Sequence, residues 1–116
     1  MIKIEVDEAY AFDMLAIMEL KAEYSGTEQN NAIATEFFKV IKGVLGENLA
    51  YNIKISEEYR NLLEANREAY LLIDQIVAGA QIGAEQVHHA NMERHHWKGQ
   101  LQQHFFGQDL TEQKTV

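Results

Sequence analysis

Apolar residues recur along most of this chain at spacings of three and four, the signature of helices with one buried stripe. Phe12, Leu15, Ala16 and Leu20 form the first stripe. Asp7 precedes it as a candidate cap, and Glu8 places a negative charge at the positive end of the helix dipole. Ser25-Gly26 ends this helix near Tyr24. Thr27 is placed to cap a second helix, in which Ile33, Phe37, Val40/Ile41 and Val44/Leu45 recur up to Gly46. Ser56 opens a third, beginning Glu57-Glu58, with Tyr59, Leu62/Leu63, Tyr70, Ile73 and Val77 on its apolar face. Ala84, Val87, Asn91, Arg94, Lys98, Leu101 and Phe105 continue that spacing almost in register. One unbroken helix from Ser56 to Phe106 would be about 75 Å long, too long for a lone chain of this size to cover. Gly79 and Gly83 each weaken a helix by about 1 kcal/mol relative to alanine, so a reversal is expected there. The last helix then runs from about Gln81 to Phe106 and stops at Gly107.

Two short segments alternate instead. Ile2, Ile4 and Val6 share one side of residues 2–6, and Tyr51, Ile53 and Ile55 share one side of 51–55. They can pair as a ribbon or serve as extended leads into helices, and the pattern fits both. The expected fold is all-α: a small antiparallel bundle of about four helices, with an optional two-stranded ribbon of 2–6 with 51–55. Residues 1–107 are expected to form one helical domain, and 108–116 a polar, flexible tail. The expected core draws on Phe12, Leu15, Leu20, Ile33, Phe37, Ile41, Leu62, Leu63, Ile73, Val77, Val87, Leu101 and Phe105.

Composition narrows the chemistry. There is no cysteine, which removes disulfides, thiolate metal sites and cysteine nucleophiles and fits a reducing, cytoplasmic setting. There is no proline, which suits a helical chain. The first residues alternate polar and apolar rather than forming the apolar run of a signal peptide, and polar residues interrupt every hydrophobic block, so no membrane partner is expected. The net charge is −8. Residues 1–77 hold 14 acids against 7 Lys and Arg, while 78–116 hold 4 against 3. With no basic stripe, the charge argues against nucleic acid as a partner.

All five histidines, His88, His89, His95, His96 and His104, lie in the last 29 residues. Two Glu-x-x-His pairs, Glu85 with His88 and Glu93 with His96, place a carboxylate and an imidazole on one helical face, and His89 with Glu93 adds a third pairing. Glu85, His88, His89, Glu93 and His96 are therefore the candidate ligands of a divalent transition metal; otherwise no cofactor is expected. Di-iron bundles draw such pairs from two helices. Here both share one helix, about 12 Å apart along its axis, so one centre would need another helix or another subunit. The plainer reading is wet helix surface. No His-Glu-x-x-His motif, phosphate-binding loop or dinucleotide fingerprint is present. The helical nucleotide pyrophosphohydrolases, also small and acidic, need a Glu-x-x-Glu pair facing a Glu-x-x-Asp pair. Glu5 and Glu8 have the first spacing but straddle a helix start, and the second motif does not occur.

Three stretches carry a likeness. Asp13-Met14-Leu15-Ala16-Ile17-Met18-Glu19-Leu20-Lys21, Asn66-Arg67-Glu68-Ala69-Tyr70 and Asn91-Met92-Glu93-Arg94 follow one another in the order of similar runs in a family of small, uncharacterised helical proteins of bacteria and their phages. The closing Leu110-Thr111-Glu112-Gln113-Lys114 is similar to that family's Leu-x-Glu-x-Lys ending. Asp13, Leu15, Ile17, Glu19, Lys21, Asn66, Asn91 and Arg94 match its pattern. Met14 and Met92 replace a lysine and an aspartate, and the histidines lie outside it. The resemblance covers about a third of the chain; it implies a helical fold and no activity.

Acids of the first helix (Asp13, Glu19, Glu23) and polar groups on the last (Asn91, Arg94, Lys98) are placed to pair across the bundle and fix its register. Phe37-Phe38 and Phe105-Phe106 are adjacent aromatics that one intrachain core is not expected to cover, and Trp97 lies on a polar helix. Aromatics so placed commonly anchor interfaces. The expected role is a non-enzymatic homo-oligomeric assembly or adaptor protein, a dimer first, with association favoured as the histidines protonate. A metal-binding protein built on the Glu/His cluster and a magnesium-dependent pyrophosphohydrolase-like enzyme are the alternatives.

Overall fold

Three residues near helix starts set the frame of the computed structural model, which describes residues 5–111. Thr27 and Ser56 each accept a hydrogen bond from the backbone N–H three residues on, at 3.2 Å from Asn30 and 3.0 Å from Tyr59. Asp7 occupies the cap position of the first helix without capping it. Its carboxylate instead accepts from the Thr111 backbone N–H at 2.9 Å and from the Thr111 hydroxyl. The helices that follow are α1 (Glu8–Ser25), α2 (Glu28–Leu45), α3 (Glu47–Lys54), α4 (Glu57–Val77) and α5 (Ala84–Phe106). The fold is an all-α bundle, with no strand among the described residues.

Among the described residues the bundle has five helices where the sequence pattern suggests four. Tyr51 to Lys54 belong to α3, so the ribbon of 2–6 with 51–55 does not form; residues 2–4 lie outside the described residues. The alternation of Tyr51, Ile53 and Ile55 misleads because only Ile53 is buried, together with Ala50 one helical step earlier. Gly46 permits the extra helix. At φ 87° it sits where L side chains are strained, and this single residue ends α2 and opens α3. The reversal after α4 does occur, at Ala78 to Gly83, with Gly79 at φ 96°.

α1 is the central element, packed by α2, α4 and α5. Phe12, Leu15, Leu20, Ile41, Ile53, Leu62 and Leu101 form the buried core, with Tyr59 edge-on to Phe12 at 6.0 Å between ring centres. Phe37, Leu63, Val87 and Phe105 are half-buried. Three expected core residues are exposed: Ile33, Ile73 and Val77. For α4 the reason is length. Tyr24, near the end of α1, stacks on Tyr70 at 5.0 Å. Past that level the apolar stripe outlasts the helix that covers it, leaving Ile73 60% and Val77 80% exposed.

The adjacent aromatics also depart from expectation. Phe37 and Phe38 both pack against the core, as do Phe105, Phe106 and Trp97. A half-buried ring needs only an edge in the interior, so neighbours pointing about 100° apart on a helix can both reach it. Beyond α5, Leu110 lies against the same core, 3.9 Å from where a side chain on Gly99 would begin.

Candidate functional site

The polar chemistry that the fold brings together centres on the acids of α1 rather than on the histidines of α5. Each acid of α1 meets a partner from α3, α4 or α5. Gln102, fully buried, accepts a hydrogen bond from the Ala9 backbone N–H at 2.9 Å and donates to Glu8 at 2.7 Å. An α5 side chain thus satisfies one of the N–H groups that the first turn of a helix leaves without a partner. One level further, buried Asp13 accepts from Asn66 of α4 at 2.8 Å and from Arg94 of α5 at 3.0 Å. Asn66 is buried too and also donates to the Leu62 carbonyl at 3.1 Å, while the Arg94 Nε is buried with no acceptor among the described residues. Glu19 accepts from the Tyr59 hydroxyl and from Lys54 at 2.8 Å. Burial pushes the Tyr59 phenol well above the ordinary tyrosine range, and the Glu19 charge and hydrogen bond add to it. Last, Glu23 takes Arg67, whose hydrogen bond holds this carboxyl below the usual range; Arg67 also reaches the Tyr24 hydroxyl at 3.0 Å.

The candidate metal ligands fall elsewhere. Glu85, His88, His89 and His96 are exposed on α5, and Glu93 is half-buried. His96 sits edge-on to Trp97 at 4.9 Å. Among the described residues, no three His, Asp or Glu side chains are arranged to hold a metal ion. Each Glu-x-x-His pair therefore offers two ligands by itself. His104 is taken by Glu58 of α4 and stacks on Phe105 at 4.4 Å. Glu8, one acid of the Glu-x-x-Glu spacing, is bonded to Gln102, whereas Glu5 is exposed. Among the described residues, no helix is long and apolar enough to cross a membrane.

The outer face of α2 is an orderly open surface. Ile33, Phe37, Val40 and Val44 follow one another at steps of four, three and four, the spacing of a coiled-coil seam. Ile33, Val40 and Val44 are 46%, 62% and 78% exposed. A shallow apolar hollow lies at each end of the seam. One, of about 530 Å³, holds Met18, Ile33, Phe37 and Val40; the other, of about 310 Å³, holds Val6, Ala11, Phe37, Val40 and Val44.

No family model, curated protein or solved structure matches this chain. Three positions that carry the sequence resemblance, Asp13, Asn66 and Arg94, meet in the buried network, and a fourth, Glu19, lies a level away. The expected pairing of Asp13, Glu19 and Glu23 with the polar groups of α5 holds for Asp13, which meets Arg94, whereas Glu19 and Glu23 bond to α3 and α4 instead. Gln102 is missed altogether. A glutamine beside the core residue Leu101 resembles any surface residue, and only the partners it finds mark it out.

Proposed function

We propose that this chain is a non-enzymatic helical assembly protein that works as a homodimer, with the α2 seam as its contact surface. The observation that carries the reading is the coiled-coil step of Ile33, Phe37, Val40 and Val44 on a helix whose other face is already committed to the core through Ala34 and Ile41. A seam of this kind has its natural complement in a second copy of itself. An antiparallel pair with its two-fold axis between Phe37 and Val40 sets Ile33 against the partner's Val44 and Phe37 against the partner's Val40. The hollow holding Ile33 then receives Val44, and the hollow holding Val44 receives Ile33. In this register Glu36 faces the partner's Gly43, so no like charges are opposed along the seam.

The polar network of α1 supports the same reading. Its acids are engaged with Gln102, Asn66, Arg94, Tyr59, Lys54 and Arg67, an arrangement that fixes how the helices register. The seam spans roughly 16 Å at ~1.5 Å per residue, so a dimer in the micromolar range is expected rather than a tighter one. A cysteine-free chain permits a direct test. Mixing the Ile33→Cys and Val44→Cys variants under mild oxidation should give mixed disulfide dimers in preference to either self-pair. Equal yields of all three species, or none, would contradict the arrangement.

A further inference from the structure

We propose that the cleft between α1, α2 and α3 binds a phosphomonoester, whose phosphate lies by Lys39 and Lys42 and whose planar or apolar body lies against Phe38 and Tyr51. The cleft measures about 540 Å³, within the roughly 300–1,000 Å³ of small-molecule sites. Its chemistry runs against that of the chain. In a protein of net charge −8, three of the seven lysines (Lys39, Lys42 and Lys54) line this one hollow.

The two acids in its wall do not cancel them. Glu19 is held by Lys54 and the Tyr59 hydroxyl, and Glu23 is held by Arg67. Lys54 is thereby committed, and Lys39 and Lys42 remain. Lys42 has no carboxylate within ion-pair distance among the described residues; its ammonium sits 5.3 Å from the ring centres of both Phe38 and Tyr51. Lys39 has Glu36 at 3.7 Å, but both side chains are 70% exposed, and such a pair contributes little and releases a donor readily. Two compact ammonium groups suit a tetrahedral dianion as point charges. Phe38 and Tyr51 meet edge to face at 5.3 Å and give the cleft an aromatic wall beside those charges. Asn31 and Thr35, a turn or two earlier on the same side of α2, add neutral polar groups to the lining. This face is distinct from the seam: Asn31, Thr35, Phe38 and Lys42 lie on one side of α2, and Ile33, Phe37, Val40 and Val44 on another. The site therefore does not depend on the dimer.

Phenyl phosphate is the probe, titrated by calorimetry into the full chain and its variants. Saturable binding is expected in the unmodified chain, at least about tenfold weaker in Lys42→Gln, the loss appropriate to one charge-assisted contact. Lys42→Arg should recover part of it. Lys21→Gln, which makes the same change in net charge on an exposed residue outside the cleft, should stay within about twofold, since it alters only the general field. Lys39→Gln, at a largely exposed side chain, supplies the same loss should Lys42→Gln lower the helical circular dichroism. The proposal is overturned by the absence of saturable binding, by equal weakening in Lys21→Gln, or by benzoate binding as tightly as phenyl phosphate.

Discussion

α1 and α2 are each 18 residues long, yet α1 buries seven of its residues and α2 only two. The helix with the cleaner stripe is the less buried. α2 has an unmistakable apolar face, but that face is wider than the core needs: the bundle buries Ala34 and Ile41, half-buries Phe37 and leaves Ile33, Val40 and Val44 open. α1 mixes Asp13 and Glu19 among Phe12, Leu15 and Leu20, so its sequence resembles a half-exposed helix. It is covered on several sides because its neighbours bring a polar partner to each acid. A stripe reports which residues prefer burial; how many neighbours are available to provide it is decided elsewhere in the chain.

That contrast can be broken most forcefully at its centre. Phe12 is fully buried and faces Tyr59, so Phe12→Ala should destabilise the chain by about 3–5 kcal/mol in urea unfolding. A loss below about 1 kcal/mol would mean that α1 is not the hub described. Next is the polar level. Asn66→Ala removes one partner of a buried carboxylate and should cost about 1–3 kcal/mol, the penalty of leaving such a group under-bonded. An effect near zero would mean that the Asp13 level does not hold α1 in place.

The third test separates the α1 interior by pH. The folded-state pKa of Tyr59 is raised, so its contribution is fully present below the unfolded value of about 10 and is lost as pH rises above it. Tyr59 should resist ionisation past the ordinary tyrosine range and titrate as the fold opens. Stability should therefore fall less steeply at alkaline pH in Tyr59→Phe than in the unmodified chain, and identical slopes would contradict the burial. The smallest effect concerns the outer end of α4. Ile73→Ala should cost under about 1 kcal/mol, because that side chain is already mostly in solvent.

The sequence announces some of this and conceals the rest for physical reasons. Thr27, Ser56 and Gly107 mark helix ends because capping is local chemistry, complete within a few residues. The reversal near Gly79 is visible on the same grounds. Asp7 shows the limit: the residue type and place suit a cap, but Thr111, far along the chain, takes its carboxylate and Gln102 takes over at the helix start. α3 is hidden because Tyr51, Ile53 and Ile55 fit a strand period as well as a helix of only eight residues. Pairing between the acids of α1 and the polar groups of α5 is legible because Asn91, Arg94 and Lys98 interrupt an apolar stripe, but which acid meets which partner is not. The lysine cleft is not, since Lys39, Lys42 and Lys54 stand on two helices and meet only after α3 folds beside α2.

The exposed seam of α2 is the feature on which the functional reading stands, and sedimentation velocity tests it most directly. The unmodified chain at about 100 µM, well above a micromolar dissociation constant, should sediment as twice its 13.3 kDa mass. Added salt should strengthen the dimer by screening the repulsion between two chains of net charge −8. Val40→Lys should sediment as a monomer with unchanged unfolding stability. A monomeric unmodified chain at that concentration, or a Val40→Lys variant that stays dimeric, would contradict the account.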